Sequence, residues 1–230
     1  SEDDFFNIQR TDTLSESGAA LQTVWHGFDG DDFMMGGMGR ESFYGGMGDD
    51  ILLGNGGDDV LVGDQGDDKL HGGDGNDQLL GGDGNDTLTG DRGDDILKGG
   101  DSIDTYSDSF GNNMIEDVAG SSDITTEDGN DVITSGADAD TIKAGNGNNI
   151  IKSGAGNDII FTGNGADQIW SGGGQDIIRA GGGDDIIDSG AGNDQVFGGA
   201  GADRFILNQK LSTSLVNIQD FNATKVTGSF

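Results

Sequence analysis

Asp50, Asp59, Asp68, Asp77, Asp86, Asp95 and Asp104 follow one another at intervals of nine residues without a gap. Carboxylates are either proton shuttles or hard oxygen ligands for cations. No nucleophile motif, zinc cluster or differentiated acid–base pair accompanies these aspartates, so the chain is expected not to be an enzyme. The rhythm extends well beyond them. From Gly27 to Ile206 the chain divides into twenty nonapeptides with no insertion or deletion. Their sixth position also holds Asp32, Asp131, Asp140, Asp158, Asp167, Asp176, Asp185, Asp194 and Asp203, and fails only at Glu41, Asn113, Ser122 and Asn149. Every eighth position is apolar or aromatic, from Met34 to Phe205, and the fourth is Gly except at Ser102 and Asp138.

Six residues of Gly, Asp and Asn make a turn, and three residues around one apolar side chain make a short strand. One apolar residue in nine cannot bury itself alone. Two nonapeptides per coil put strands on opposite sides with their eighth positions facing inward, and stacked coils then form parallel sheets around a thin core. The expected fold is therefore all-β, a parallel β-solenoid. Asn55, Asp64 and Asp91, where the second position is not Gly, are residue types that tolerate a left-handed backbone. Phe28, Ser109, Val118 and Glu127 break that rule. We divide the chain into a cap or upstream junction (1–26), a Leu-rich array (27–107), a degraded joint (108–134), an Ile-rich array (135–206) with mostly Ser, Ala or Thr at position one, and a C-terminal cap (207–230).

Stacking brings residues eighteen apart to about 4.8 Å. Carboxylates at ~5 Å repel by about 3 kcal/mol at an effective dielectric of ~20. Summed over the column, and halved for screening, this reaches ~15–20 kcal/mol, above the stability of a typical domain. A divalent cation between successive aspartates reverses the sign. Calcium accepts six to eight oxygens in flexible geometry, including carbonyls aimed by glycine-rich turns; magnesium is stricter, and zinc prefers Cys or His. The chain has no Cys and only His26 and His71. On the order of ten calcium ions is the expected load.

"GGDGNDQLL" (72–80) and its neighbours resemble the calcium-binding nonapeptide of RTX (repeats-in-toxin) proteins, G-G-x-G-x-D-x-U-x. The resemblance implies a right-handed parallel β-roll with calcium in its turns, in which each ion takes carbonyls from positions two and four and the Asp of one turn. It also takes carbonyls from positions one and three and the Asp of the turn eighteen residues on. Carried over, this groups Gly46, Gly48 and Asp50 with Gly63, Gln65 and Asp68, and Asn55, Gly57 and Asp59 with Gly72, Asp74 and Asp77. Asp64, Gly66 and Asp68 go with Gly81, Asp83 and Asp86, and Gly73, Gly75 and Asp77 with Gly90, Arg92 and Asp95. In the second array Gly154, Gly156 and Asp158 join Ser171, Gly173 and Asp176, while Gly163, Gly165 and Asp167 join Ala180, Gly182 and Asp185. Gly172, Gly174 and Asp176 join Ser189, Ala191 and Asp194, and Gly181, Gly183 and Asp185 join Gly198, Ala200 and Asp203. The pattern is broken at Asn113 and Ser122. The resemblance further implies a secreted bacterial protein exported by type I secretion, disordered at low calcium and folding outside the cell. "IQDFNATK" (218–225) is similar to the segment that often follows such arrays as a cap.

A net charge of −32 excludes nucleic acid held by a basic surface and disfavours anionic membranes. No run is long and apolar enough to span a membrane. Trp170, Phe161, Phe197 and Tyr44 stand at position nine, facing outward; with Ile159 and Ile177 they offer a glycan or protein surface. The alternatives are thus a calcium-stiffened adhesive rod and the accessory module of a secreted toxin, protease or other hydrolase, joined to an upstream domain.

Overall fold

The computed structural model describes residues 5–7, 23–207 and 215–220. Among them the chain winds as a parallel β-solenoid in which successive strands alternate between two sheets. One sheet runs from Phe33–Met35 through Ile51–Gly56, Lys69–Asp74 and Thr87–Arg92 to Ile177–Gly182 and Ala191–Ala200. The other runs from Thr23–Asp29 through Glu41–Met47, Val60–Gln65, Gln78–Asp83 and Ile96–Asp101 to Arg204–Phe205. Pairing within the arrays is parallel with partners eighteen residues apart, such as Leu52 with Leu70 and Ile160 with Ile178. Two nonapeptides make each coil.

The eighth-position side chains form the interior. From Met34 to Val196 each is at most 1% exposed, with Trp25, Phe205 and Val216 packed against the column. Burying one branched or aromatic side chain stabilises by about 1.5–3 kcal/mol, so the core gains by repetition instead of by thickness.

Strand length departs from expectation. From Ile51–Gly56 to Ile96–Asp101 the strands are six residues long, as in Lys69–Asp74, and include positions one to three; the turn is correspondingly short. Glycine has no side chain to obstruct pairing, and Asn55 and Gly56 continue the ladder with Gly73 and Asp74. From Thr105–Ser107 to Gln168–Trp170 the strands shorten to three residues. Asn55, Asp64 and Asp91 take the expected left-handed conformation, with φ of 70°, 79° and 76°. Phe28 takes it too, at 80°, although its bulky side chain makes that conformation costly. Ser109, Val118 and Glu127 do not, yet pairing passes unbroken through the joint, from Thr105 to Asp123 to Thr141.

At the C-terminal end Leu215–Ile218 pairs with Asn193–Val196, and the Asp220 carboxylate accepts the amides of Gly198 (2.9 Å) and Gly199 (2.7 Å). This segment, from the stretch expected to form a cap, adds one strand beside the last long strand of its sheet. Leu211, Phe221 and Val226, apolar residues of the expected cap (207–230), lie outside the described residues. At the other end Phe5–Asn7 pairs with Phe33–Met35, and Thr23–Asp29 with Glu41–Met47.

Candidate metal sites in the turns

Position six is buried from Asp32 to Asp194, and Asp203 in the last coil is half-buried; Asp50, Asp68, Asp86 and Asp158 are each at most 1% exposed. Each carboxylate divides its oxygens. Oδ1 accepts the backbone amide of the position-six residue one coil earlier: Asp50 donates to Asp68 at 2.7 Å, Asp68 to Asp86 at 2.8 Å, and Asp140 to Asp158 at 3.0 Å. Oδ2 turns inward. In Asp50, Asp59, Asp68, Asp77, Asp86, Asp95, Asp104, Asp131, Asp140, Asp158, Asp167, Asp176, Asp185 and Asp194 this oxygen is buried and receives no hydrogen bond. A buried unpaired acceptor costs about 1–3 kcal/mol, and more when charged.

The oxygens around it are acceptors as well. Asp68 Oδ2 and the Gly81 carbonyl both lie within 2.7 Å of the point where a side chain on Gly63 would begin. Asp86 Oδ2 and the Gly99 carbonyl bear the same relation to Gly81. Oxygens that converge with no proton between them form a donor set for a hard cation, and their types match calcium's preference. The carbonyls of Asn55, Gly57, Asp64 and Gly66 point at the coil that follows, where Gly73, Gly75, Gly82 and Gly84 leave room. Position-three carbonyls have a further duty: Gln65, Asp74, Asp83, Arg92, Gly173, Gly182 and Ala200 each accept the amide of a position-four glycine one coil earlier. In the second array the grouped carbonyls of Ser171, Ser189 and Ala180 accept hydroxyls from Ser153 (3.1 Å), Ser171 (2.9 Å) and Thr162. Among the described residues no three acidic or imidazole side chains gather at one point, so two carboxylates plus carbonyls is the arrangement available.

Every position-six aspartate with a resolved shift has its pKa raised. Asp59 reaches about 8, Asp68 and Asp95 about 7, and Asp50, Asp77 and Asp86 about 6. Burial is the largest cause at each, with repulsion between neighbouring carboxylates a smaller one. Spacing had suggested repulsion as the main cost; loss of water outweighs it. In the second array Asp140, Asp158 and Asp167 are also raised by burial, and the hydroxyls of Ser135, Ser153 and Thr162 offset part of it.

The spacing argument overlooked two features. The first is a ladder at position five, where Asp49 donates its amide to Asp31 Oδ1 (2.9 Å) and Asp94 to Asn76 Oδ1 (2.9 Å). The recurrent Asp-Asp and Asn-Asp doublets were its signal. The second is a pair of position-one carboxylates, Asp108 and Asp117, 1% and 3% exposed. They stand in the two nonapeptides whose sixth positions are Asn113 and Ser122.

On the outer surface His71 pairs with Asp91 (2.7 Å) and His26 stacks on Tyr44 (4.8 Å between ring centres). Arg179 lies between the rings of Phe161 and Phe197, 5.3 and 5.1 Å from their centres. That surface is therefore a cation–π stack and not a bare apolar patch.

Fold and turns together define a β-solenoid whose coils are joined by rows of inward-facing oxygen ligands. A family model for the RTX calcium-binding nonapeptide repeat matches residues 26–40, 44–79, 71–106, 107–142, 134–169, 143–178 and 170–205. The chain belongs to that family and is a calcium-binding RTX β-roll module. No curated protein matches it. Among solved structures it is similar to a hyperactive, Ca2+-dependent, β-helical antifreeze protein from an Antarctic bacterium. That likeness has a TM-score of 0.60 at 17% identity, covering 96% of this chain and 85% of the other. It concerns the fold alone.

Proposed function

We propose that the chain is a calcium-gated folding module of a secreted protein, unfolded where calcium is scarce and wound into a roll where it is plentiful. The observation that carries this reading is the row of buried Oδ2 atoms with no hydrogen-bond donor. Unfolded, those oxygens are hydrated; wound, they lose water, and only in the second array do neighbouring hydroxyls offset part of the loss. Calcium, when bound, supplies the missing counter-charge. Ligands that bind the folded form alone add directly to its stability. The chain's residues do the rest: turn glycines let carbonyls approach, Oδ1 holds each carboxylate to the neighbouring coil, and the eighth-position column excludes water. Extracellular calcium modules bind with Kd of about 10⁻⁴–10⁻³ M, which suits a switch between the inside and outside of a cell. An extended chain at low calcium also suits passage through a narrow export channel.

Circular dichroism in chelator and in millimolar calcium tests the reading. A coil-like spectrum is expected in chelator and a β spectrum in calcium. A β spectrum that chelator leaves unchanged would overturn it.

A further inference from the structure

The joint repeats have not simply lost their carboxylates. Nonapeptide 108–116 carries Asn113 at position six and, unlike the repeats of the first array, Asp108 at position one. Asn113 keeps the structural half of the aspartate's work, since its Oδ1 accepts the Asp95 amide at 2.9 Å. Its Nδ2 faces the Gly111 carbonyl (3.4 Å), so a donor replaces the ligand oxygen. The charge has moved to Asp108. That side chain is 1% exposed, and neither of its oxygens has a hydrogen-bond partner. Its Oδ2 and that of Asp95 both lie within 2.6 Å of the point where a side chain on Gly90 would begin. Burial, then the Asp95 charge, pushes the Asp108 carboxyl up to about 8, and the nearby amides of Ser109 and Phe110 offset part of this.

Two contrasts within the chain sharpen the point. Asp117, the matching residue of the next nonapeptide, accepts the Tyr106 hydroxyl at 3.1 Å, so a proton donor from the core answers it. Asn149 repeats the loss seen at Asn113, but its position one is Ala144 and no carboxylate is regained. Of the two position-one acids, Asp108 is the one whose carboxylate has no hydrogen-bond donor on either oxygen.

We propose that Asp108 is a metal ligand, forming with Asp95 a calcium site in which the second carboxylate comes from position one instead of position six. This rests on the calcium-binding reading above. The family's pattern treats this turn as broken; the geometry makes it a rearranged site that continues the row of ions through the joint.

The test counts bound calcium by native mass spectrometry, and by calorimetry, in three full-length chains. Asp108→Asn should bind one ion fewer than wild type while retaining its β spectrum in excess calcium. Asp108→Gly, which restores the residue the first array carries at position one, should likewise bind one ion fewer. An Asp108→Asn chain with the full count and unchanged or higher thermal stability in calcium would make Asp108 a buried protonated acid, overturning the proposal. Should Asp108→Asn not fold, Asp108→Gly decides alone. One ion fewer supports the proposal, and the wild-type count shows that Asp108 held none. A wild-type chain that binds no calcium at all would instead defeat the underlying function.

Discussion

Asp68 gives one oxygen to the Asp50 amide and holds the other in the interior without a donor, and substitution can separate the two roles. Asp68→Asn keeps an oxygen for the amide, as Asn113 and Asn149 do for Asp95 and Asp131. It is expected to bind at least one calcium ion fewer by calorimetry while remaining wound at saturating calcium; a full complement would remove Asp68 from the ligands. Asp68→Ala removes both roles and leaves a buried amide unpaired. It should lose about 1–3 kcal/mol beyond Asp68→Asn, read from melting in saturating calcium. Spacing alone could not assign these tasks, because both belong to one letter. It also missed Asp108, since the absence of Asp at position six and its arrival at position one fall in different columns.

The two arrays differ at an element both share, the residue that opens each turn. Gly45, Gly63 and Gly81 leave the first array's carboxylates without a neighbouring hydroxyl. Ser135, Ser153, Thr162 and Ser171 place one beside Asp140, Asp158, Asp167 and Asp176, and pass hydrogen bonds up the stack. The second array therefore meets part of its burial cost from its own chain and should wind at lower calcium. Trp25 and Trp170 make this measurable. In calcium titrations, fluorescence of Trp170 in a Trp25→Phe chain should reach its midpoint before that of Trp25 in a Trp170→Phe chain. Coincident midpoints would mean the arrays fold as one unit. Much of this architecture was legible beforehand, because burial of Leu61, Ile160 and their kin imposes the period. The six-residue strands were not: glycine at positions one to three looks like turn, while its bare backbone pairs readily.

Over the whole molecule the charge is −32, and the raised carboxylates turn it into a dependence on pH. Asp59 and Asp108 rise to about 8, Asp68 and Asp95 to about 7. Because these lie above the value of ~4 expected for Asp in an unfolded chain, the metal-free roll binds more protons than the unfolded chain between about pH 4 and pH 8. Its stability accordingly falls as pH rises through that window, the reverse of a carboxylate stabilised by a salt bridge. In chelator the β signal should be greater at pH 5 than at pH 8; a greater signal at pH 8 would contradict the burial argument. Within the arrays, pairing joins residues eighteen apart, whether Leu52 to Leu70 or Ile160 to Ile178. No distant segment has to be found before a new layer closes. Each layer needs only the one beneath it, so the work of winding does not grow with the length already wound, and assembly can keep pace with a chain that arrives one end first.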